Sequence, residues 1–119
     1  MTLEMEPDKF FGALANDVRL RCVMLLARQG ELCVCELTHA LKLSQPKVSR
    51  HLATLRELGI VTDRRDGLWI YYRLHPELPL WMAQVVESTA QALAGRKPYV
   101  DDLSALDGMP NRPGAPRCA

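Results

Sequence analysis

No run of apolar residues in this 119-residue chain approaches the ~18 that a membrane-spanning helix needs. The N-terminus, Met1-Thr2-Leu3-Glu4-Met5-Glu6, lacks the basic and apolar regions of a secretory signal. Cysteine is sparse, with four in all, and nothing else suggests secretion or a disulfide framework. The chain is therefore expected in the cytoplasm, where thiols stay reduced and free to act as ligands. No glycine-rich nucleotide loop and no hydrolase triad is present. Internal repeats are absent as well. What remains is one domain of ordinary composition, large enough for a modest core and more secure as a dimer.

Net charge is low, at +1, but unevenly spread. Between residues 42 and 65, Lys42, Lys47, Arg50, Arg56, Arg64 and Arg65 face only Glu57 and Asp63, a local excess of +4, which leaves the remainder at −3. A positive strip on a near-neutral body suits contact with phosphates.

Periodicity and punctuation predict the elements. Asp8 to about Ala15 reads as a short helix. Asn16 or Asp17 caps a second, from Val18 to about Gln29, apolar nearly all round and so central in the core; Gly30 ends it. A third helix is expected over Leu32 to Leu41. Ser44 caps a fourth from Gln45, with Pro46 in the first turn, where a missing N–H costs nothing, and Gly59 as its stop. The runs Ile60 to Arg65 and Leu68 to Leu74 flank Asp66-Gly67 and read as a β-hairpin. Pro79 to Ala94 is a last helix, whose apolar stripe of Trp81, Met82, Val85, Val86 and Leu93 exceeds what a small core needs and suits a dimer contact. Glycine and proline then accumulate, so residues 1–98 are read as one folded unit and 99–119 as a flexible tail.

Helix, turn, helix and two-stranded wing describe a winged helix-turn-helix: mainly α with a β-hairpin wing, and a homodimer through its terminal helices. The helix from Gln45 would enter the major groove of double-stranded DNA with its first turns nearest the bases. Gln45 and Arg50 suit base reading, because an amide pairs adenine and a guanidinium pairs guanine. Ser44, Lys47, Ser49 and His51 suit phosphate contacts, and Arg64 and Arg65 would reach backbone or minor groove from the wing.

Just before that element, Glu31-Leu32-Cys33-Val34-Cys35-Glu36-Leu37 sets two thiols one residue apart. Thiolates select soft ions: trivalent arsenic or antimony, cadmium, lead, zinc, Cu(I). On a regular helix, residues two apart point about 200° from each other. Capture of one ion by both would then unwind the start of the third helix and shift the fourth.

Residues 8 to 75 resemble the ArsR/SmtB family of metal-sensing repressors, more closely its arsenic-responsive branch. The resemblance is carried by Ala13 to Arg21, Glu31 to Leu37, Leu43 to Leu52 and Arg64 to Tyr72. It implies a homodimer bound to operator DNA and released by a toxic metal or metalloid, here arsenite with antimonite as a second inducer, and no constitutive cofactor. Some arsenic-responsive members carry a third cysteine where this chain has Thr38. The candidates for a third ligand are Cys118, Cys22 or none. Cys22 lies within an apolar helix and reads as core. Cys118 follows Gly95 by 23 residues, a contour of up to roughly 75 Å, and could reach the pair in either subunit. Cadmium- and lead-sensing relatives add cysteines near the N-terminus, and zinc-sensing ones place Asp and His on the last helix; this chain has no cysteine before Cys22 and no Asp or His between Pro79 and Ala94. A thiol-redox or Cd/Pb response on the same fold is the alternative. The span Cys22 to Arg28 fits a Cys-x5-Arg spacing, but its apolar interior makes a helix rather than an oxyanion loop, so no enzyme is expected.

Overall fold

The computed structural model describes residues 5–113. Helix α1 (Pro7–Leu14) leads into α2 (Asp17–Gln29), where Asn16 Oδ1 accepts the Arg19 N–H at 3.0 Å and so caps the helix. Helix α2 is the hub of the core, burying Val18, Cys22, Val23, Met24, Leu25 and Leu26. Its length and all-round apolarity agree with the sequence.

The next segment departs from the expected helix over Leu32 to Leu41. Glu31–Cys33 forms a short strand, β1, and helix α3 runs only from Val34 to Leu41. Gly30 makes this possible: with φ +91 it turns the chain out of α2 straight into the strand. Three residues are enough for β1 to pair antiparallel with the wing, Cys33 opposite Tyr71 and Glu31 opposite Arg73.

Helix α4 (Gln45–Glu57) follows a three-residue turn in which Lys42 adopts the left-handed region (φ 59, ψ 43). Val48, Leu52 and Leu55 anchor α4 on the core. Strands β2 (Val61–Asp66) and β3 (Trp69–Leu74) form the wing, giving a sheet of order β1-β3-β2. Asp66 pairs with Trp69, so the turn residues are Gly67 and Leu68 rather than Asp66-Gly67. Gly67 carries the positive φ that the first position of a two-residue II′ hairpin demands.

Helix α5 (Leu80–Leu93) buries Met82, Val86 and Ala90. The segment beginning at residue 99, expected to be flexible, folds as helix α6 (Tyr99–Asp107) and packs on α2 and α3. Leu106 is fully buried, and Asp102 accepts both Arg21 Nε (2.9 Å) and Nη2 (2.7 Å) in a buried bidentate pair. Pro/Gly counting missed α6 because Tyr99, Leu103 and Leu106 give it an apolar stripe at helical spacing ahead of the Pro/Gly-rich residues.

Candidate thiol site and nucleic-acid interface

Cys33 ends β1 and is also the N-cap of α3, with extended geometry (φ −72, ψ 153); Cys35 is the second residue of the helix. This strand-to-helix junction abolishes the 200° separation expected on a continuous helix. The thiols face each other, with Cys35 Sγ 3.0 Å from Cys33 Sγ. The premise of the expected unwinding, two thiols pointing apart on a continuous helix, does not hold, because the sulfurs already converge. Burial, with the Cys33 thiol as the next cause, pushes the Cys35 thiol up to about 12. Thr38, at the position of a third cysteine in some relatives, donates its hydroxyl to the Cys35 carbonyl at 2.9 Å. Cys118 lies outside the described residues.

Glu36 completes the junction. Its fully buried side chain sits at the third helical position and accepts the Cys33 N–H at 2.8 Å through Oε1. This is the returning half of a capping box, with cysteine where serine or threonine usually stands. Oε2 accepts Arg112 Nε at 2.8 Å. Among the described residues, no three His, Cys, Asp or Glu side chains are placed to hold a metal ion; two thiols alone converge.

A cleft opens from these thiols toward α4 and the wing, lined by Cys33, Cys35, Gln45, Ser49, Arg56 and Trp69 among others. Ser44, Gln45, Lys47 and Arg50 are exposed on the outer side of α4, and Ser49 is half-buried in the cleft. Ser44 Oγ accepts the Lys47 N–H at 3.4 Å as the helix cap. His51 is turned toward α2, its Nδ1 3.3 Å from Arg19 Nη1. Desolvation and the Arg19, Arg50 and Lys47 cations hold its pKa below the ordinary histidine value, which keeps the ring neutral. On the wing, Arg65 is exposed. Arg64 is held in place instead: it makes a bidentate pair with Glu31 (2.8 and 2.7 Å) and lies over the Tyr71 ring at 4.5 Å.

Residues 16–63 match the profile described as bacterial regulatory protein, arsR family. Over 112 residues the chain is 52% identical to the arsenic resistance transcriptional regulator ArsR1 of Pseudomonas putida, covering 94% of this chain and 86% of that protein. The chain belongs to the ArsR family. Two solved structures of similar fold are the AntR antimony-specific transcriptional repressor (TM-score 0.60, 33% identity, 71% of this chain and 73% of that one) and a homodimeric winged helix-turn-helix DNA-binding domain from Mycobacterium bovis (TM-score 0.59, 32% identity, 72% and 75%).

As an ArsR-family regulator the chain is no enzyme, and Cys22 shows why the Cys-x5-Arg spacing was empty. Its side chain is fully buried within α2, and burial pushes its thiol up to about 12. Sequence reasoning missed Glu36, Glu31, Tyr71 and Arg112. Only Glu36 carried a readable signal, the Cys33-x-x-Glu36 spacing of a capping box.

Proposed function

We propose that this chain is a homodimeric repressor that occupies operator DNA through α4 and the wing and lets go when trivalent arsenic bonds to Cys33 and Cys35. The observation that carries the reading is the converged thiol pair at the head of α3, lining one cleft with Gln45 and Ser49 of the DNA-reading helix. The relatives support it: one is an arsenic resistance regulator, another an antimony-specific repressor, a third a homodimeric DNA-binding domain. Antimonite, with the same valence and thiophilicity, is the second inducer. No helix among the described residues is long and apolar enough to cross a membrane. The cytoplasm, where thiols stay reduced, is the compartment that suits such a site.

Gln45 and Arg50 read base edges, and Ser44, Lys47, Ser49 and Arg65 contact phosphates. His51 and Arg64 act at the edge of that surface, each braced by a protein partner. Arsenic insertion replaces the contact between the two sulfurs with two covalent bonds and leaves a third valence for another sulfur, which Cys118 supplies. The head of α3 must adjust to the inserted atom, and α3 packs directly on α4. Reversing a 99:1 preference for the DNA-bound form takes about 5.5 kcal/mol of differential binding, within reach of metalloid–thiolate bonds.

The test is operator release followed by fluorescence anisotropy. Cys33→Ser and Cys35→Ser are expected to bind operator like the unaltered protein and to ignore arsenite. Loss of DNA binding in those arsenite-free variants would sink this division of labour. The redox alternative gains from the 3.0 Å approach of the two sulfurs but suffers from the raised Cys35 pKa, since the thiolate is the reactive species. Peroxide-driven release that persists in Cys118→Ser, with no response to arsenite, would favour it.

A further inference from the structure

We infer that Arg112 is a positioning residue of the thiol site: by holding the C-terminal segment on Glu36, it fixes the backbone turn that aims Cys33 at Cys35. The inference rests on the reading of those cysteines as metalloid ligands.

One carboxylate joins two distant parts of the chain. Glu36 is 0% exposed, with Oε1 bound to the Cys33 N–H and Oε2 to Arg112 Nε, each at 2.8 Å. The Arg112 side chain is itself 19% exposed, so the pair is largely shielded from water. A buried carboxylate stripped of its cation is held in place poorly and is drawn toward solvent. If Glu36 moves, it releases the Cys33 N–H. The extended geometry of Cys33, which turns its sulfur back onto Cys35, then loses its constraint. The effect of Arg112 on Cys33 runs through the carboxylate of Glu36, which bonds both.

The anchor has a second consequence. Arg112 precedes Cys118 by six residues, which when fully extended span at most about 20 Å. The chain leading to Cys118 therefore starts close to Cys33 through Glu36, instead of ranging over the whole contour from Gly95.

The experiment measures arsenite-driven operator release and arsenite-free operator affinity on the full chain. Arg112→Ala in a Cys118→Ser background separates positioning of Cys33 from delivery of the tail thiol. It should raise the arsenite concentration for half-release by about tenfold or more, as loss of outer-shell support does at metal sites, with operator affinity within about threefold of its parent. Arg112→Lys should recover most of the response. Glu36→Gln keeps an acceptor for the Cys33 N–H without the charge, so Arg112→Ala should add nothing on top of it. An unchanged half-release concentration in Arg112→Ala, alongside a silent Cys33→Ser, overturns the positioning role and spares the thiol reading. A Cys33→Ser protein that still responds removes the thiol reading, and this inference with it. Should Arg112→Ala fail to fold, Glu36→Gln decides: an unchanged half-release there overturns the role.

Discussion

Cys33 and Cys35 meet because a strand ends where a helix begins, and as the proposed ligands they would take up different ions in different ways. The Cys35 thiol, pushed up to about 12 chiefly by burial, stays protonated throughout the neutral range. Arsenite arrives as neutral As(OH)3. Each S–H that bonds to arsenic sends its proton to a departing hydroxide, so two thiols release two waters and no net proton. A divalent cation brings no base, so the Cys35 thiol must give its proton to solvent. The sign follows: a raised thiol pKa penalises cadmium at every pH below it, while arsenite is indifferent. Half-release by arsenite should shift less than about threefold between pH 6 and 8, whereas cadmium affinity should rise by about tenfold per pH unit from the Cys35 proton. Isothermal titration in buffers of different ionisation enthalpy reads the proton count directly. An arsenite affinity that falls as pH rises, beside a flat cadmium profile, would show that the thiols start as anions.

At the scale of elements, the turn between α3 and α4 holds a testable weakness. Lys42 sits at φ 59, ψ 43, a region that costs a residue with a Cβ roughly 1–2 kcal/mol. Glycine adopts it freely but gives up more unfolded-state entropy, so Lys42→Gly should stabilise the protein by about 0.5–1 kcal/mol net. Urea unfolding checks this; a lower midpoint would mean that the Lys42 side chain contributes more than its backbone costs. Lys42 lies in the basic strip, so the same variant should bind operator somewhat more weakly and with a shallower salt dependence. The elements most legible in the sequence were those with repetitive signals. Asn16 and Ser44 capped the expected helices, Val48, Leu52 and Leu55 gave α4 its stripe, and the apolar runs around Gly67 gave the wing. Strand β1 escaped because three residues are too short to show a period, and its reason for existing is a partner, β3, some 40 residues away. The site followed the same division. The cysteine pair and the exposed basic face were readable as residue types, but Arg64's attachment to Glu31 and Arg112's to Glu36 depend on tertiary proximity that no local pattern encodes.

For the molecule as a whole, one face is left without a partner. Phe11 and Trp81 are 49% and 41% exposed, although both rings pack against buried Phe10, and Leu80 beside them is 72% exposed. These residues lie on α1 and α5, so the chain presents an apolar surface where a second copy would seat. An operator-binding dimer gains because the second half-site is met intramolecularly, and separating the subunits forfeits that effective concentration. Leu80→Glu isolates the effect. Position 80 opens α5, where a carboxylate is favourable beside the helix N-terminus, and the native side chain is mostly in solvent, so the monomer should fold unimpaired. Burying that charge in an apolar contact should instead drive the subunits apart. Sedimentation should find monomers at concentrations where the unaltered chain is dimeric, and operator affinity should fall by about a hundredfold. Phe11→Ser, which replaces an exposed ring with a small hydroxyl, should act in the same direction but more weakly. If Leu80→Glu sediments as a dimer of undiminished affinity, the subunits meet elsewhere, and the exposed rings of α1 and α5 need another explanation.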